Sequence, residues 1–465
     1  MNSEMSGDEF RRYGHEVVDW IADYLDRNRE LPVMPRIEPG ALEDALPAAA
    51  PEEGEPMEQI LADFRNLVVP AVNHWNHPRF HAYFSVSASA PGILGEMLTA
   101  ALNTNGMLWL SSPANTELEL VVMKWLRQWL GLPEGFFGMI HDTASTSTMH
   151  AIAAARVAAA PGVREEGARP DLVVYASEHA HSSIEKGALA LGMGRKQVRK
   201  IAADAVFRMD VKALQAAVAA DRAAGLRPCC VVSTVGTTAV TSVDPVAAVQ
   251  AVAEQEGLWH HIDAAYGGPA AILPELRWML DGAERADSLV VNPHKWLFTP
   301  IDLSAFYCRR PEVLREAFSL VPSYLRTEQD GRAVNLMDYG APLGRRFRAL
   351  KLWFVMRWFG RAGVERILRS HIEWARELAV EIEADERFEV CAPVPLSLVC
   401  FRLKGSDEAN RALVERVNES GEAFLAGNTL GGRFMLRLAI GHVRTAREDV
   451  WGLWGRIREL ADSVS

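Results

Sequence analysis

The stretch Ser288–Trp296 constrains the fold more than any other part of the sequence. Its apolar residues Leu289–Val291 predict a short buried strand, and Pro293 ends that strand because proline cannot donate to a ladder. Lys295 follows at once. Lysine is strongly hydrated, so its position just beyond a buried strand is unusual, and there it can lose its proton and attack carbonyls. The alternative is an ordinary exposed lysine at a strand end.

A second predicted strand, Leu258–Ile262, ends at an acid. Asp263 is followed by two alanines and, after Tyr266, by two glycines. Small residues after a strand let a flat ligand lie close to the backbone. An acid can keep a pyridine nitrogen protonated while a lysine binds an aldehyde covalently. Asp263 and Lys295 together therefore predict a pyridoxal phosphate site.

The motifs Asn292–Trp296 (NPHKW) and His261–Tyr266 (HIDAAY) resemble those of the group II pyridoxal-phosphate-dependent decarboxylases, in particular the branch that acts on aromatic amino acids. The similarity extends over nearly the whole chain. It implies a fold-type-I α/β architecture, in which helices wind around a mainly parallel sheet. The domains it implies are an N-terminal helical arm with a dimerisation segment (1–84), a large cofactor-binding domain (85–352) and a small C-terminal α+β domain (353–465).

The resemblance also implies roles for individual residues, in a homodimer that converts an aromatic amino acid to its amine and carbon dioxide. Catalytic roles are expected for Lys295, Tyr324, His181 and His294. Pyridoxal 5'-phosphate is expected to contact Ala144, Ser145, His181, Thr237, Asp263, Ala265, Asn292, His294 and Lys295. The substrate is expected to contact Trp75, Tyr83, Phe84, Asn105, Met107 and Gly344, with Asn105 and Met107 reaching into the neighbouring subunit. Tyr324 lies in a stretch without periodicity, 321–340, which corresponds to a mobile loop in the family.

The pattern along the chain independently favours a parallel sheet wound by helices. Apolar runs near residues 172, 231, 259 and 288 alternate with helical stretches. At the start of one alanine-rich helix, Ala144 and Ser145 offer free N–H groups that suit a phosphate, although such residues also act as plain N-caps. Asp142, just before them, would repel a phosphate unless it points away.

The N-terminal part of the chain is rich in aromatic residues. One helical stripe consists of Phe10, Tyr13, Val17, Ile21, Tyr24 and Leu25. This stripe packs either on the chain's own core or, as the resemblance implies, on a second subunit. Residues 74–84 contain several histidines without a carboxylate, so we expect an aromatic pocket wall there and no metal site.

Composition excludes several other classes. The chain has 465 residues and a net charge of −11 without a Lys/Arg-dense stretch, so nucleic acid is not an expected partner. Five cysteines lack metal-ligand spacing and favour buried reduced thiols. No apolar run is long enough to span a membrane, and we expect a cytoplasmic protein.

Three alternatives to the decarboxylase remain open. An aldehyde synthase on the same scaffold would add oxidative deamination, but such relatives commonly replace the residues that match Tyr324 or His181. A glutamate-type decarboxylase needs a cation for the distal carboxylate, which His74, His77 or Arg79 could supply. A catalytically silent cofactor-binding protein should lack the lysine or the loop tyrosine, and this chain has both.

Overall fold

A seven-stranded sheet forms the centre of the molecule in the computed structural model, which describes residues 4–167, 169–320 and 332–464. Its strands are β1 (Phe137–His141), β2 (Leu172–Ser177), β3 (Val198–Ile201), β4 (Arg227–Thr234), β5 (Trp259–Asp263), β6 (Ser288–Val291) and β7 (Ser304–Cys308). They lie in the order β1-β7-β6-β5-β4-β2-β3. The pairs from β6 to β3 are parallel, whereas β7 runs antiparallel to both β6 and β1.

Most of the helices precede, connect or flank these strands. In chain order they are α1 (Gly7–Arg27), α2 (Ala41–Ala45), α3 (Met57–Asp63), α4 (Ala90–Leu102), α5 (Pro113–Leu130), α6 (Ala144–Ala159), α7 (Val163–Glu166), α8 (Ser183–Ala190), α9 (Val211–Ala223), α10 (Val246–Glu256), α11 (Pro293–Trp296), α12 (Pro311–Phe318), α13 (Arg348–Ala384), α14 (Asp407–Ser420) and α15 (Arg447–Ala461). None of the helices in the described ranges combines the length and apolarity needed to cross a bilayer.

Both faces of the large sheet are covered, because successive residues of a strand point to opposite faces. On one face, Val174 and Val232 pack in a core that includes Ile152 of α6. On the other face, Tyr175 and Val231 pack against α9 and α10. This two-sided burial explains why the strands appear in the sequence as continuous apolar runs instead of alternating patterns.

A second sheet of four antiparallel strands follows in the C-terminal part. Its strands are β8 (Phe388–Val390), β9 (Leu398–Leu403), β10 (Ala426–Leu430) and β11 (Arg433–Ala439), in the order β10-β11-β9-β8. One face packs against α13, α14 and α15 through residues such as Phe401 and Trp454. Residues of the other face, including Leu398 and Met435, belong to the same core as the large sheet.

The α/β fold class predicted from the sequence is confirmed, as are the strands expected near residues 172, 231, 259 and 288. α13 consists of two helical segments, 348–359 and 361–384, which meet at a kink. The kink is at Gly360, whose φ of 59° and ψ of 171° are not helical. The positive φ explains the glycine, because other residues are strained in that region.

Candidate active site

A cavity of about 240 Å³ lies at the carboxyl ends of the central parallel strands. Its lining residues are Phe84, Thr143, Ala144, Ser145, His181, Ser183, Thr234, Gly236, Thr238, Asp263, Ala265, Tyr266, Asn292, His294 and Lys295. Open α/β sheets bind ligands at this edge, where the strands deliver their last residues into one crevice. The fold therefore brings most of the cofactor residues expected from the sequence into one place.

Lys295 reaches the cavity from the short helix α11, which begins directly after β6. The backbone N–H of Lys295 donates to the Asn292 carbonyl at 2.9 Å, which fixes the turn. Burial lowers the pKa of the Lys295 amine, and the charge of Asp263 opposes this shift. The amine is therefore biased towards the neutral, nucleophilic form.

Asp263 is the last residue of β5, and its carboxylate accepts a hydrogen bond from the Ala265 N–H at 3.1 Å. The side chain is almost fully buried. Its negative charge acts in the direction of raising the pKa of both Lys295 and His181. A buried carboxylate close to a lysine and an imidazole provides the charge that a protonated pyridine ring requires.

His181 lines the cavity just after β2, and its Nδ1 accepts a hydrogen bond from the Ser183 N–H at 3.2 Å. Burial is the largest influence and lowers the pKa of His181, against the opposing charge of Asp263. A neutral imidazole can lie flat on an aromatic ring. The nearby His179 instead contacts Phe207 edge-on and does not line the cavity.

The N-terminus of α6 contributes Thr143, Ala144 and Ser145 to the cavity wall. Thr143 is the N-cap, and its hydroxyl accepts weakly from the Thr146 N–H at 3.5 Å. Asp142 accepts from the Thr143 N–H at 2.7 Å and is not part of the lining. Asp142, which could have repelled a phosphate, is thus bonded to the backbone beside the site. The N–H groups of the first turn of α6 remain available to an anion.

Three buried polar atoms of the lining have no hydrogen-bond partner in the described part of the chain: Ser183 Oγ, Thr234 Oγ1 and Asn292 Oδ1. Buried polar groups are normally paired, because leaving one unpaired costs about 1–3 kcal/mol. Their concentration around one cavity indicates a polar ligand. Together with the lysine, the carboxylate and the helix N-terminus, these atoms fit pyridoxal phosphate.

Thr237, an expected cofactor contact, is not part of the cavity lining. Its hydroxyl lies 2.8 Å from Ser242 Oγ and accepts the Ser242 N–H at 3.0 Å, so it closes a turn of its own. Thr238 lines the cavity instead. Arg437, from β11 of the small sheet, donates to the carbonyls of Thr238 and Ala239 at 2.7 and 3.0 Å and holds this turn in place.

An aromatic stack closes one side of the cavity. Phe84 lies on Tyr266 with ring centroids 3.6 Å apart, and Tyr266 lies on Trp296 at 5.0 Å. Lys295 Nζ is 5.6 Å from the Phe84 ring and the Arg437 guanidinium is 5.4 Å from it. Phe84 is thus placed as expected, whereas Tyr266 and Arg437 had not been identified. Tyr266 follows the Asp-Ala-Ala motif and could have been found, but Arg437 has no comparable signal.

His294 is buried, and its Nδ1 accepts a hydrogen bond from the Leu303 N–H at 2.9 Å. Burial, followed by the charge of Lys295, lowers the pKa of His294 to about 4. The neutral ring therefore carries its proton on Nε2. Ala265 and Asn292 also lie in the lining, as expected.

The remaining candidate substrate residues lie outside this lining. Trp75 and Tyr83 stack on each other at 5.7 Å and are 38% and 52% exposed. Asn105, Met107 and Gly344 lie on two adjoining segments away from the cavity wall. Tyr324 falls outside the described residues.

The histidines near residue 75 do not converge on a metal. Tyr24 Oη is 2.9 Å from His74 Nδ1, His77 Nδ1 accepts from the Arg79 N–H, and His81 Nδ1 is 2.9 Å from the Ala439 carbonyl. Within the described ranges, no group of three or more His, Cys, Asp or Glu side chains is arranged to hold a metal ion.

Comparison with known proteins agrees with this site. Residues 39–404 match the family described as the pyridoxal-dependent decarboxylase conserved domain. The aromatic-L-amino-acid decarboxylase of Sus scrofa is 43% identical, and the alignment covers 97% of each chain. A crystal structure of Oryza sativa TDC with PLP and tryptamine superimposes with a TM-score of 0.96 at 37% identity, covering 100% of this chain and 99% of that one.

A crystal structure of Rhodiola rosea 4-hydroxyphenylacetaldehyde synthase is also similar, with a TM-score of 0.93, 37% identity, and coverage of 99% of this chain and 100% of that one. The family match covers well over half of the sequence and includes Lys295, Asp263 and His181. The chain therefore belongs to the pyridoxal-dependent decarboxylase family.

Proposed function

We propose that the protein is a pyridoxal-phosphate-dependent decarboxylase that converts an aromatic L-amino acid to the corresponding amine and carbon dioxide. The observation that carries this proposal is the single cavity that combines Lys295, Asp263 and His181 with the N-terminus of α6. Similarity over nearly the full length to an aromatic-L-amino-acid decarboxylase supports the aromatic substrate.

When bound, pyridoxal phosphate supplies a ring that accepts the electron pair left behind by carbon dioxide. Lys295 would hold its aldehyde through the buried amine, and Asp263 would keep the ring nitrogen protonated. The first N–H groups of α6, at Ala144 and Ser145, would bind the phosphate. His181 would lie against the ring, and the wall formed by Phe84 would exclude water.

Tyr324 is our candidate for the group that returns a proton to the substrate Cα. A phenol can donate a proton at hydrogen-bond distance, whereas a phenyl ring cannot. Replacement by phenylalanine should therefore leave carbon dioxide release in place but let dissolved molecular oxygen oxidise the unprotonated Cα. With water, this oxidation gives aldehyde, ammonia and hydrogen peroxide in place of the amine. The control is Tyr339→Phe, because Tyr339 packs on Phe137 at 4.6 Å and should not affect the product. Mainly amine at an unchanged rate from Tyr324→Phe would contradict the assignment.

The aromatic ring of the substrate is proposed to contact Trp75, Tyr83 and Phe84, together with Asn105, Met107 and Gly344. The basic residues that had kept a glutamate-type enzyme open have other partners. Arg79 donates to the Arg29 carbonyl and lies 3.9 Å from Asp449. His74 and His77 are bonded outside the cavity lining.

An aldehyde synthase remains the second candidate, because a structure of that activity is as similar in sequence as the Oryza sativa protein. One experiment separates these possibilities. The purified protein is incubated with pyridoxal phosphate and with tryptophan, tyrosine, phenylalanine, 3,4-dihydroxyphenylalanine or glutamate, and amine, aldehyde and peroxide are quantified. Amine without stoichiometric peroxide supports the decarboxylase, whereas equal aldehyde and peroxide would assign the synthase.

The active unit is proposed to be a homodimer. Helix α4 exposes a row of leucines (Leu94, Leu98 and Leu102), and Phe10 of α1 is 70% exposed. Apolar side chains exposed together on neighbouring turns are typical of a surface that another protein covers. Sedimentation at assay concentration tests this, and full activity of a monomer would refute it. We also propose a cytoplasmic location, which the five unpaired cysteines support.

A further inference from the structure

Two segments that are distant in sequence, 105–107 and 337–345, lie side by side. The Gly106 N–H donates to the Arg345 carbonyl at 2.8 Å, and the Arg345 N–H donates to Asn105 Oδ1 at 2.9 Å. The backbone of Arg345 therefore makes reciprocal bonds with the first segment. Because these bonds run in both directions, any movement of Arg345 moves the neighbouring segment as well.

The side chain of Arg345 is fixed in the protein interior by an ion pair with Glu119 of α5. The two side chains are 7% and 1% exposed, and Arg345 Nη2 lies 2.5 Å from Glu119 Oε1. Arg345 Nη2 also donates to the Ile140 carbonyl at 3.0 Å, while the Ile140 N–H donates to Glu119 Oε1 at 2.7 Å. The three residues form a closed set of contacts in which each charge is paired.

The contacts among Arg345, Glu119 and Ile140 connect the two segments to the elements that form the cofactor cavity. Ile140 belongs to β1, which leads directly into the N-terminus of α6 and its cavity residues. The first segment also fits tightly on α5, because a Cβ at Gly106 would lie 2.3 Å from Asn115 Nδ2. Both segments are thus bonded to one arginine, whose side chain is anchored to α5 and β1.

We propose that Arg345 is a positioning residue for substrate selection, which acts by holding Asn105, Met107 and Gly344 in a fixed arrangement relative to one another. This inference rests on the proposed function, in which these three residues contact the aromatic ring. Arg345 itself does not touch the substrate. Movement of the Arg345 side chain away from Glu119 would leave a buried charge unpaired, which disfavours other positions of the two segments.

The test is Arg345→Lys, which keeps the charge on a side chain that is one atom shorter, so its amine does not reach the position of Nη2, the nitrogen that contacts both Glu119 and Ile140. We expect the ratio of kcat/KM for tryptophan to that for tyrosine to change by at least about fivefold, because small displacements of positioning groups change rates strongly. This ratio is independent of the active fraction of the preparation, so simple destabilisation cannot alter it. The control is Arg346→Lys, since Arg346 forms a more exposed pair with Glu96 and should leave the ratio unchanged.

The thermal midpoint and the visible absorption of bound cofactor show whether Arg345→Lys folds. If it does not fold, Glu119→Gln tests the positioning role instead. The amide keeps the size of the carboxylate but removes the charge that holds Arg345, so the same ratio should change. A folded variant with a ratio within about twofold of the wild type overturns the positioning role while the proposed function stands. Wild-type protein that decarboxylates neither amino acid overturns the proposed function itself.

Discussion

Two buried polar regions lie close together, one in the middle of β5 and one around the cavity at its end, and their hydrogen bonding differs. In the middle of the strand, His260 lies 2.7 Å from both Ser233 Oγ and Gln250 Oε1. His261 lies 2.9 Å from Ser288 Oγ, which also accepts from the Trp259 indole at 2.8 Å. Every polar atom of these two histidines has a partner, if the 3.3 Å contact of His261 with Thr148 is included.

At the end of the same strand, Asp263 lines the cavity, where several other buried polar atoms lack hydrogen-bond partners. Ser183 Oγ, Thr234 Oγ1 and Asn292 Oδ1 are buried without a hydrogen bond from the described residues. The contrast separates two tasks in neighbouring regions. A fully paired polar network specifies the fold, whereas unpaired polar atoms around a cavity carry a cost that a bound ligand removes.

The largest expected effect concerns Lys295, the only charged group of the cavity lining that can bond covalently to an aldehyde. Lys295→Ala should lower kcat by at least roughly 10⁴-fold, because covalent attachment of the cofactor is lost. Borohydride treatment of the wild type followed by peptide mapping should place the reduced cofactor on Lys295. The exposed Lys200 serves as control, and Lys200→Ala should retain activity. A label on another lysine would contradict the assignment.

The next effect concerns the carboxylate at the end of β5. Asp263→Ala should lower kcat by roughly 10²–10³-fold, because the charge that keeps the ring nitrogen protonated is removed in a buried site. Cofactor occupancy should be measured by absorbance in parallel. Near-normal turnover with the cofactor still bound would assign Asp263 a structural role only.

The two hydrogen-bonded histidines of β5, His260 and His261, should make the free energy of unfolding depend on pH. Burial lowers the pKa of His260 to about 3 and that of His261 to about 4, whereas an unfolded histidine has a pKa near 6.5. Between about pH 4 and 6.5 the unfolded state binds more protons than the folded state. These two histidines therefore leave the free energy of unfolding unchanged above pH 6.5 and lower it as the pH decreases towards 4. Each imidazole contributes a slope of about 1.4 kcal/mol per pH unit.

Urea unfolding at pH 7, 6 and 5 measures this slope. In His260→Gln, where the side chain can no longer take up a proton, the slope should be smaller by one imidazole's share. An identical slope in the variant would mean that His260 does not remain neutral in the folded protein.

The smallest expected effects concern two serines, Ser288 and Ser183, one from each region. Ser288→Ala removes the partner of Trp259 and His261 and should destabilise the cofactor-free protein by about 1–3 kcal/mol. Ser183→Ala removes a hydroxyl that has no partner, so the free energy of unfolding should change by less than about 0.5 kcal/mol. Cofactor affinity should instead fall by roughly fivefold, since a bound ligand would lose one hydrogen bond. Equal destabilisation by both changes would remove the distinction between the two regions.

The sequence allowed the central strands to be predicted because they are buried on both faces and appear as apolar runs. Strand β3 was missed because its residues Arg199 and Lys200 interrupt any such run at the sheet edge. β1 and β10 were missed as well. The antiparallel direction of β7 could not be inferred, because strand direction depends on pairing with distant residues and not on composition.

Residues that directly follow a strand, such as Lys295 and Asp263, could be placed from the sequence at one edge of the sheet, and both line the cavity. Thr237 was chosen on the family resemblance alone, whereas Thr238 lines the cavity in the turn that begins at Gly236, whose φ is 87°. Contacts between distant parts of the chain, such as Arg437 with the Thr238 carbonyl, leave no local pattern in the sequence. These contacts became apparent only in the structure.

The strand order of the large sheet also has a consequence for how the protein is made. β1 lies at the sheet edge beside β7, which follows only after β2–β6 in the sequence. During synthesis β1 therefore leaves the ribosome long before its partner exists, and it must be kept from pairing with other chains in the meantime. Arg437, which holds the turn beside the cavity, emerges later still. We expect cofactor capture to follow release of the finished chain, so supply of the vitamin-derived cofactor would influence the yield of active enzyme after translation has ended.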